Sequence, residues 1–350
     1  MRASRLYKKI KMTMRDLTDD AALLRPVIEA LRASGVDPAP VLAQLGLPEQ
    51  GLPQGRFPHS AQGLFWQACA EACGEEHVGL HLVGHLAPYH GLLLEYLFLS
   101  SSTFGDGLRH ALRYVRLLSD TLSASLEEHG ECAVLVLGAT PDFSRHFPEM
   151  LAGAVIRLFS ALTERTFRPL EVQLMHAQGA PAERYVEVYG CPARLGAARY
   201  ALVFDSAVLA QPSRHAAPDL LRMHESLARR QLHEVERQDL VRQVRELIGQ
   251  LLLNGGPTLE QVAVRLNMPT RRLRERLSLA GVRFNDLVTD YRCRLAKELL
   301  LKTDERIDVI VERTGFSEPS TFYRAFKRWV GETPVEFRRR GKADAATRLP

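Results

Sequence analysis

The sequence predicts an α+β domain, helices with a small antiparallel sheet, followed by an all-α domain of two helix-turn-helix units joined by a linker helix. Three observations carry that prediction. Apolar residues recur at helical spacing through most of the chain, but change to alternating or short β-rich runs in several places between 121 and 204. Two segments in the C-terminal third repeat one pattern of apolar stripe, chain reversal and basic front. Charge is also unevenly spread. Residues 256–342 hold 19 Lys and Arg against 12 Asp and Glu, a net of +7; the whole chain is +5, which leaves about −2 for residues 1–255. A basic end beside a near-neutral one is the footprint of a protein that meets a polyanion with one end.

With 350 residues and 46% apolar content, the chain has the length of two domains and the composition of a soluble globular protein. The most apolar run, 91–99, is interrupted by Glu95 and falls far short of the roughly 20 residues that a membrane span needs. Residues 1–15 are basic without the apolar segment of a secretory signal; they are expected to be a disordered leader, with Met12 or Met14 as alternative starts. The expected location is the cytoplasm, with no membrane contact. Cys69, Cys73, Cys132, Cys191 and Cys293 are odd in number and scattered, which suits reduced thiols rather than a disulfide frame. Cys69 and Cys73 lie one helical turn apart and are read as buried structural residues ahead of a redox or metal pair.

Element by element, 17–45 reads as helical, and the glycines and prolines between 46 and 55 then break the chain. A helix is expected over 61–73. The segment 103–119 is amphipathic, with Leu108, Leu112, Val115 and Leu118 on one stripe. Residues 121–127 and 132–137 read as a hairpin turning at 128–130. A helix over 149–165, a strand at 170–176, a short helix at 182–189 and a strand at 200–204 complete the first domain. A long Arg-, Glu- and Gln-rich helix is then expected over 219–253, as linker, dimer helix or both. It must stop at Asn254-Gly255-Gly256-Pro257, because two glycines and a proline continue a helix only at high cost. The expected domains are 16–237 and 238–340, with 341–350 a disordered tail.

In the first repeat, Thr258 and Gln261 form a capping-box pattern, and Leu259, Val262, Ala263 and Leu266 make one apolar stripe. Asn267 stands where a chain reversing between helices needs a left-handed conformation. A second helix starts near Pro269, with Leu273 and Leu277 inward and Thr270, Arg271, Arg274 and Glu275 outward. In the second repeat Ile307, Ile310, Val311 and Thr314 form the stripe, Gly315 the reversal, and Ser317 a candidate cap. Phe322, Phe326 and Trp329 share the buried face. Ser320, Thr321, Arg324, Lys327 and Arg328 are left outside.

The helix expected between them, 284–302, spans about 28 Å at 1.5 Å per residue, close to the roughly 34 Å between successive major-groove faces. One chain could therefore set two helices into adjacent grooves, and the shortfall would favour bent DNA. The bland alternative for Arg271, Arg272, Arg274 and Arg276 is a solvated helical face; the repeat argues for DNA contact instead. His81 and His85 sit one turn apart, with His90 beyond, but the glutamate of a zinc-binding H-E-x-x-H pattern is absent. No phosphate loop or nucleophile motif stands in the sequence. No catalytic residue, cofactor or metal is therefore expected.

The run from Gly315 to Trp329, GFSEPSTFYRAFKRW, with Gly331 and Thr333-Pro334 after it, resembles the signature of the AraC/XylS family of transcription regulators. The resemblance covers 238–340 and implies two DNA-reading helices. Carried onto this sequence, it implies DNA contact by Thr270, Arg271 and Arg274 in the first helix and by Ser320, Thr321 and Arg324 in the second; Lys327 and Arg328 extend that basic front. Pro269, Glu275 and the 281–284 turn depart from the family's pattern, and Glu275 either reads cytosine or repels phosphate. Upstream, the helix around 107–118, Ala201-Leu202-Val203-Phe204-Asp205 and Pro218-Asp219-Leu220 resemble the arabinose-binding type of effector domain. The resemblance implies a promoter-DNA partner, RNA polymerase, a small-molecule effector and a homodimer. An architectural DNA-binding protein and an enzymatic or metal-binding module on a DNA anchor are the alternatives.

Overall fold

A computed structural model of the chain describes residues 17–47, 55–138, 144–252 and 256–346. The expected leader at 1–15 lies outside the described residues. The chain forms two compact units, Met1–Leu232 and His233–Pro350.

The first unit does not open with one helix over 17–45. Thr18–Asp20 (β1) is a strand, and Arg25–Ala33 (α1) and Ala39–Gln44 (α2) are separate helices. The break is local: Gly35 takes φ +85° and Pro38 caps α2, where its ring meets no preceding turn. The strand is decided at long range. β1 pairs antiparallel with Arg56–Pro58 (β2), and the fully buried Asp19 accepts from Gln62 Nε2 at 3.0 Å and bonds His59 Nδ1 at 2.8 Å.

Ala61–Cys73 (α3) forms as expected and ends on Gly74 at φ +61°. Its buried Phe65, Trp66 and Cys69 join α1, α2 and a helix the periodicity missed, Val78–Val83 (α4), in one core. Burial pushes the Cys69 thiol well above its ordinary value, with Cys73 adding to the rise, so Cys69 is an inert structural residue. Leu93–Leu99 (α5) follows. The helix expected over 103–119 is shorter: Phe104–Arg113 (α6), capped by Thr103 Oγ1 accepting from the Asp106 amide, then a 3₁₀ turn at Val115–Leu117.

Ser123–His129 (β3) and Cys132–Gly138 (β4) form the hairpin, but it turns at Gly130-Glu131, with Gly130 at φ +61°, rather than at 128–130. β3 is an edge strand, where Glu128 and His129 can face water, so charged residues extend it. His146–Leu162 (α7), Pro169–Gln173 (β5), Ala182–Tyr189 (α8), Ala193–Arg194 (β6) and Tyr200–Asp205 (β7) complete the unit. The sheet order is β3-β4-β7-β5-β6. Its pairs are antiparallel except β5 with β6, which are parallel because α8 carries the chain across between them. Phe98, Phe104, Phe159, Phe167 and Phe204 pack against the sheet, with the Phe104 and Phe159 rings 4.9 Å apart.

Deep in this unit the fully buried Glu149 accepts from Tyr185 Oη at 2.6 Å, while its backbone carbonyl accepts from Tyr189 Oη at 2.8 Å. His176 Nε2 lies 3.2 Å from Glu149 Oε1 but off hydrogen-bond geometry, so that contact is electrostatic. Burial alone would raise the Glu149 carboxyl; His176 and Tyr185 outweigh it and hold the group below its ordinary value.

Pro218–Leu251 (α9) is one helix of 34 residues, and the boundary expected at 237/238 falls inside it. Asn254 and Gly255 lie outside the described residues. The second unit continues with Leu259–Arg265 (α10), Thr270–Leu279 (α11), Phe284–Lys302 (α12), Ile307–Arg313 (α13), Pro319–Val330 (α14) and Pro334–Ala346 (α15). Two small cores hold it. Leu240, Val244 and Ile248 of α9 pack with Val262, Leu273 and Leu277. Ala296, Leu299 and Leu300 pack with Ile310, Phe322, Phe326 and Phe337. α12 serves both, with Leu287 in the first core and its C-terminal half in the second. The tail expected to be disordered from 341 is helical as far as Ala346. Thr333 and Glu336 cap α15, and Phe337 anchors it 5.5 Å from the Phe326 ring.

Candidate nucleic-acid interface

Each repeat folds as a short helix, a reversal and a second helix. In the first, Thr258 Oγ1 accepts from the Gln261 amide at 3.2 Å and Gln261 Oε1 accepts from the Thr258 amide at 2.9 Å, closing the capping box at the start of α10. Asn267 takes φ +50° at the reversal and Pro269 caps α11. In the second, Gly315 takes φ +72°. Glycine is required there twice over: the conformation is left-handed, and a Cβ would lie 3.0 Å from the Leu252 carbonyl oxygen. Ser317 is not the cap. Glu318 occupies that place without a side-chain bond, and Pro319, which has no amide hydrogen to satisfy, supplies the first helical residue.

The buried positions orient both fronts. Leu273 and Leu277 are buried in α11, Phe322 and Phe326 in α14. Opposite them, Arg271, Arg272 and Arg274 are exposed and Thr270 half-buried at the start of α11. Ser320, Thr321, Arg324, Lys327 and Arg328 are all exposed on α14. Arg272, Arg274, Arg324, Lys327 and Arg328 make no ion pair among the described residues, and such unspent cations suit a polyanionic partner. Trp329 is half-buried against Phe316, 6.0 Å between centroids, and is therefore core and no stacking platform.

The fronts differ in one respect that the residue types alone do not show. Each has a residue midway between its two buried anchors: Arg324 between Phe322 and Phe326, Glu275 between Leu273 and Leu277. Glu275 Oε1 accepts from Arg271 Nε at 3.0 Å, so one cation of the first front is engaged by a neighbour. By the same register Arg272 stands where Thr321 stands. Arg272 is exposed there, as a DNA contact in that run of arginines requires.

α12 fixes the second unit from behind. Arg292 Nη2 donates to the Gly315 carbonyl at 3.0 Å, and its guanidinium lies 4.8 Å from the Phe316 ring centroid. Elsewhere, the His81 and His85 rings are 5.3 Å apart, and no group of three or more His, Cys, Asp or Glu side chains converges as a metal set among the described residues. No helix among the described residues is long and apolar enough to cross a membrane.

Comparison with known proteins adds two family matches. Residues 35–213 match the arabinose-binding domain found at the N-terminus of AraC transcription regulators, and residues 262–340 match a helix-turn-helix domain. The ornithine utilization regulator of Pseudomonas aeruginosa is 32% identical over 278 residues, 76% of this chain and 79% of that protein. The transcriptional regulator VqsM of the same species is 27% identical over 286 residues, 78% of this chain and 86% of its own. Among solved structures, the DNA-binding domain of AdpA in complex with a target DNA is 28% identical, covering 29% of this chain and 94% of that one, at a TM-score of 0.26.

Proposed function

Because the chain belongs to the AraC family of DNA-binding transcription regulators, we propose that it reads promoter DNA with α11 and α14 set into adjacent major grooves on one side of the duplex. The observation that carries this reading is the pair of exposed polar-basic fronts, each aimed by two buried anchors and linked by the 19 residues of α12. Arg271, Arg272 and Arg274 with Thr270 serve the first groove. Ser320, Thr321 and Arg324 serve the second, with Lys327 and Arg328 on the phosphates beside it.

In this reading the protein is a cytoplasmic homodimer whose first unit senses a small molecule, and the bound protein activates by touching RNA polymerase. Dimerisation places two such pairs of helices on one operator, doubling the base contacts and making the second binding event effectively intramolecular. The test is selection of genomic fragments by the purified full chain, followed by titration of the best fragment against scrambled DNA. Two short blocks about one helical turn apart, bound at least about 10³-fold over scrambled DNA, are expected. Equal affinity for all sequences, with or without metabolite extracts, would make it an architectural DNA-binding protein instead.

A further inference from the structure

A cavity of about 390 Å³ opens in the first unit where the loop at Tyr89, α5 and the first turns of α9 meet. That volume accommodates a small metabolite, and ligand sites of this size combine apolar walls with a few placed polar groups. Tyr89 and Tyr96 are 39% and 46% exposed, and Leu220 of α9 is 50% exposed. Three large, mostly apolar side chains thus stand partly open to water around one concavity, the kind of grouping that marks a ligand groove.

The walls are organised beneath that surface. His224 Nδ1 of α9 lies 3.2 Å from Ser100 Oγ, and its ring lies 5.4 Å from that of Tyr96. Glu95 is 6% exposed, and its carboxylate accepts from the amides of His90 at 2.9 Å and Leu92 at 3.1 Å. Those bonds fix the group and leave lone pairs over, since a carboxylate offers about four acceptor sites.

Charge selects the occupant. Glu95 is the carboxylate in the lining, beside the imidazoles of His215 and His224, and among the described residues no Lys or Arg lines the cavity. A carboxylate or phosphate ligand would find no fixed cation. A protonated nitrogen would find Glu95 and two tyrosine rings in the lining. The Tyr89 phenol is raised by burial and then by Glu95, so the carboxylate's field reaches the cavity wall.

We propose that this cavity binds a small amine, a protonated nitrogen on an aromatic or aliphatic body, with Glu95 and the Tyr89 and Tyr96 rings as its recognition set. Ligand closing on Leu220 and His224 would touch the helix whose later residues, Leu240, Val244 and Ile248, pack in the core of the first helix-turn-helix unit. That this binding sets DNA affinity rests on the effector-responsive reading above.

The test uses the purified full chain and three probes of one shape: 2-phenylethylamine, 2-phenylethanol and phenylacetate, each titrated calorimetrically to about 10 mM. Saturable binding of the amine is expected, at least about tenfold tighter than alcohol or carboxylate. Tyr96→Ala should weaken the amine about tenfold and leave melting unchanged, since the side chain is nearly half exposed. Glu95→Gln should abolish the preference for amine over alcohol, and its melting curve reports any loss of the loop it caps. No saturable amine binding, equal binding of the carboxylate, or indifference to Tyr96→Ala overturns the amine site. Promoter-DNA affinity measured with saturating amine separates the two readings. Tight amine binding with unchanged DNA affinity sustains the site and sinks the effector role. DNA affinity that responds to some other metabolite, with no amine bound, does the reverse.

Discussion

Arg292 and Gly315 are joined across the second unit: the guanidinium in the middle of α12 donates at 3.0 Å to the carbonyl of the residue where the second repeat reverses. The same guanidinium covers Phe316, so one side chain of the linker helix holds both the turn and the ring next to it. Arg292→Ala should loosen that turn at a cost of about 1.5–3 kcal/mol. Arg292→Lys should recover only part of the loss, because an ammonium cannot lay a planar face on the ring. Amide exchange at Gly315 and Phe316 in the full chain reads it directly, and unchanged protection in the alanine variant would sink the idea.

Phe326→Ala should cost about 3–5 kcal/mol, since Phe326 is fully buried with Phe322 and Phe337 within 6 Å between ring centroids. Urea unfolding followed by circular dichroism measures it. A variant as stable as the parent would refute the packing of α14.

Arg324→Ala should weaken binding to the selected operator by about 1–3 kcal/mol while binding to random DNA changes little, if the side chain reads a base edge. Equal losses on both DNAs would reassign it to phosphate. Paired titrations at one salt concentration distinguish the two.

Glu275→Ala should free Arg271 and remove a carboxylate from a surface facing phosphates. Affinity for all DNA should rise severalfold, with the dependence on log salt steepening by about one. Selective loss on the operator would show instead that Glu275 accepts from a cytosine.

Acid should destabilise the first unit in two stages. Burial holds His146 below the ordinary histidine value of 6.5, outweighing the pull of Glu149. The unfolded chain then binds the extra proton, and stability is lost as pH falls below about 6.5. Glu149, held below 4.5, adds a second loss as pH drops past that value toward its folded one. Melting temperatures between pH 7.5 and 4 test this; burial holds His90 below 6.5 as well, so His146→Gln should shrink the upper stage and leave the His90 share of it. A profile flat from 7 to 5.5 in the parent protein would contradict the buried neutral imidazole.

Much of the DNA-binding unit was legible in the sequence because its information is local. α12 runs over the residues that the spacing of Leu287, Leu295 and Leu299 outlines, and the reversals fall on Asn267 and Gly315, residues suited to positive φ. α3 and α8 were equally plain. Short elements held by distant partners were not: β1 exists because Arg56–Pro58 pairs with it, and α4 because its apolar face closes a core built from α1 and α3. Neither leaves a periodic trace in so few residues.

For the candidate site, the sequence supplied the cations, the helices that carry them and the charge asymmetry that calls for a polyanion. Tertiary structure decided which cations are available. It engages Arg271 with Glu275 and leaves Arg272, Arg274 and Arg324 exposed. The cavity behind Tyr96 was beyond the sequence altogether, since it joins a loop, α5 and the start of α9. The physical reason is range. Helix propensity, caps and turn conformations are set within four or five residues, whereas pairing and concavity depend on which distant surfaces meet.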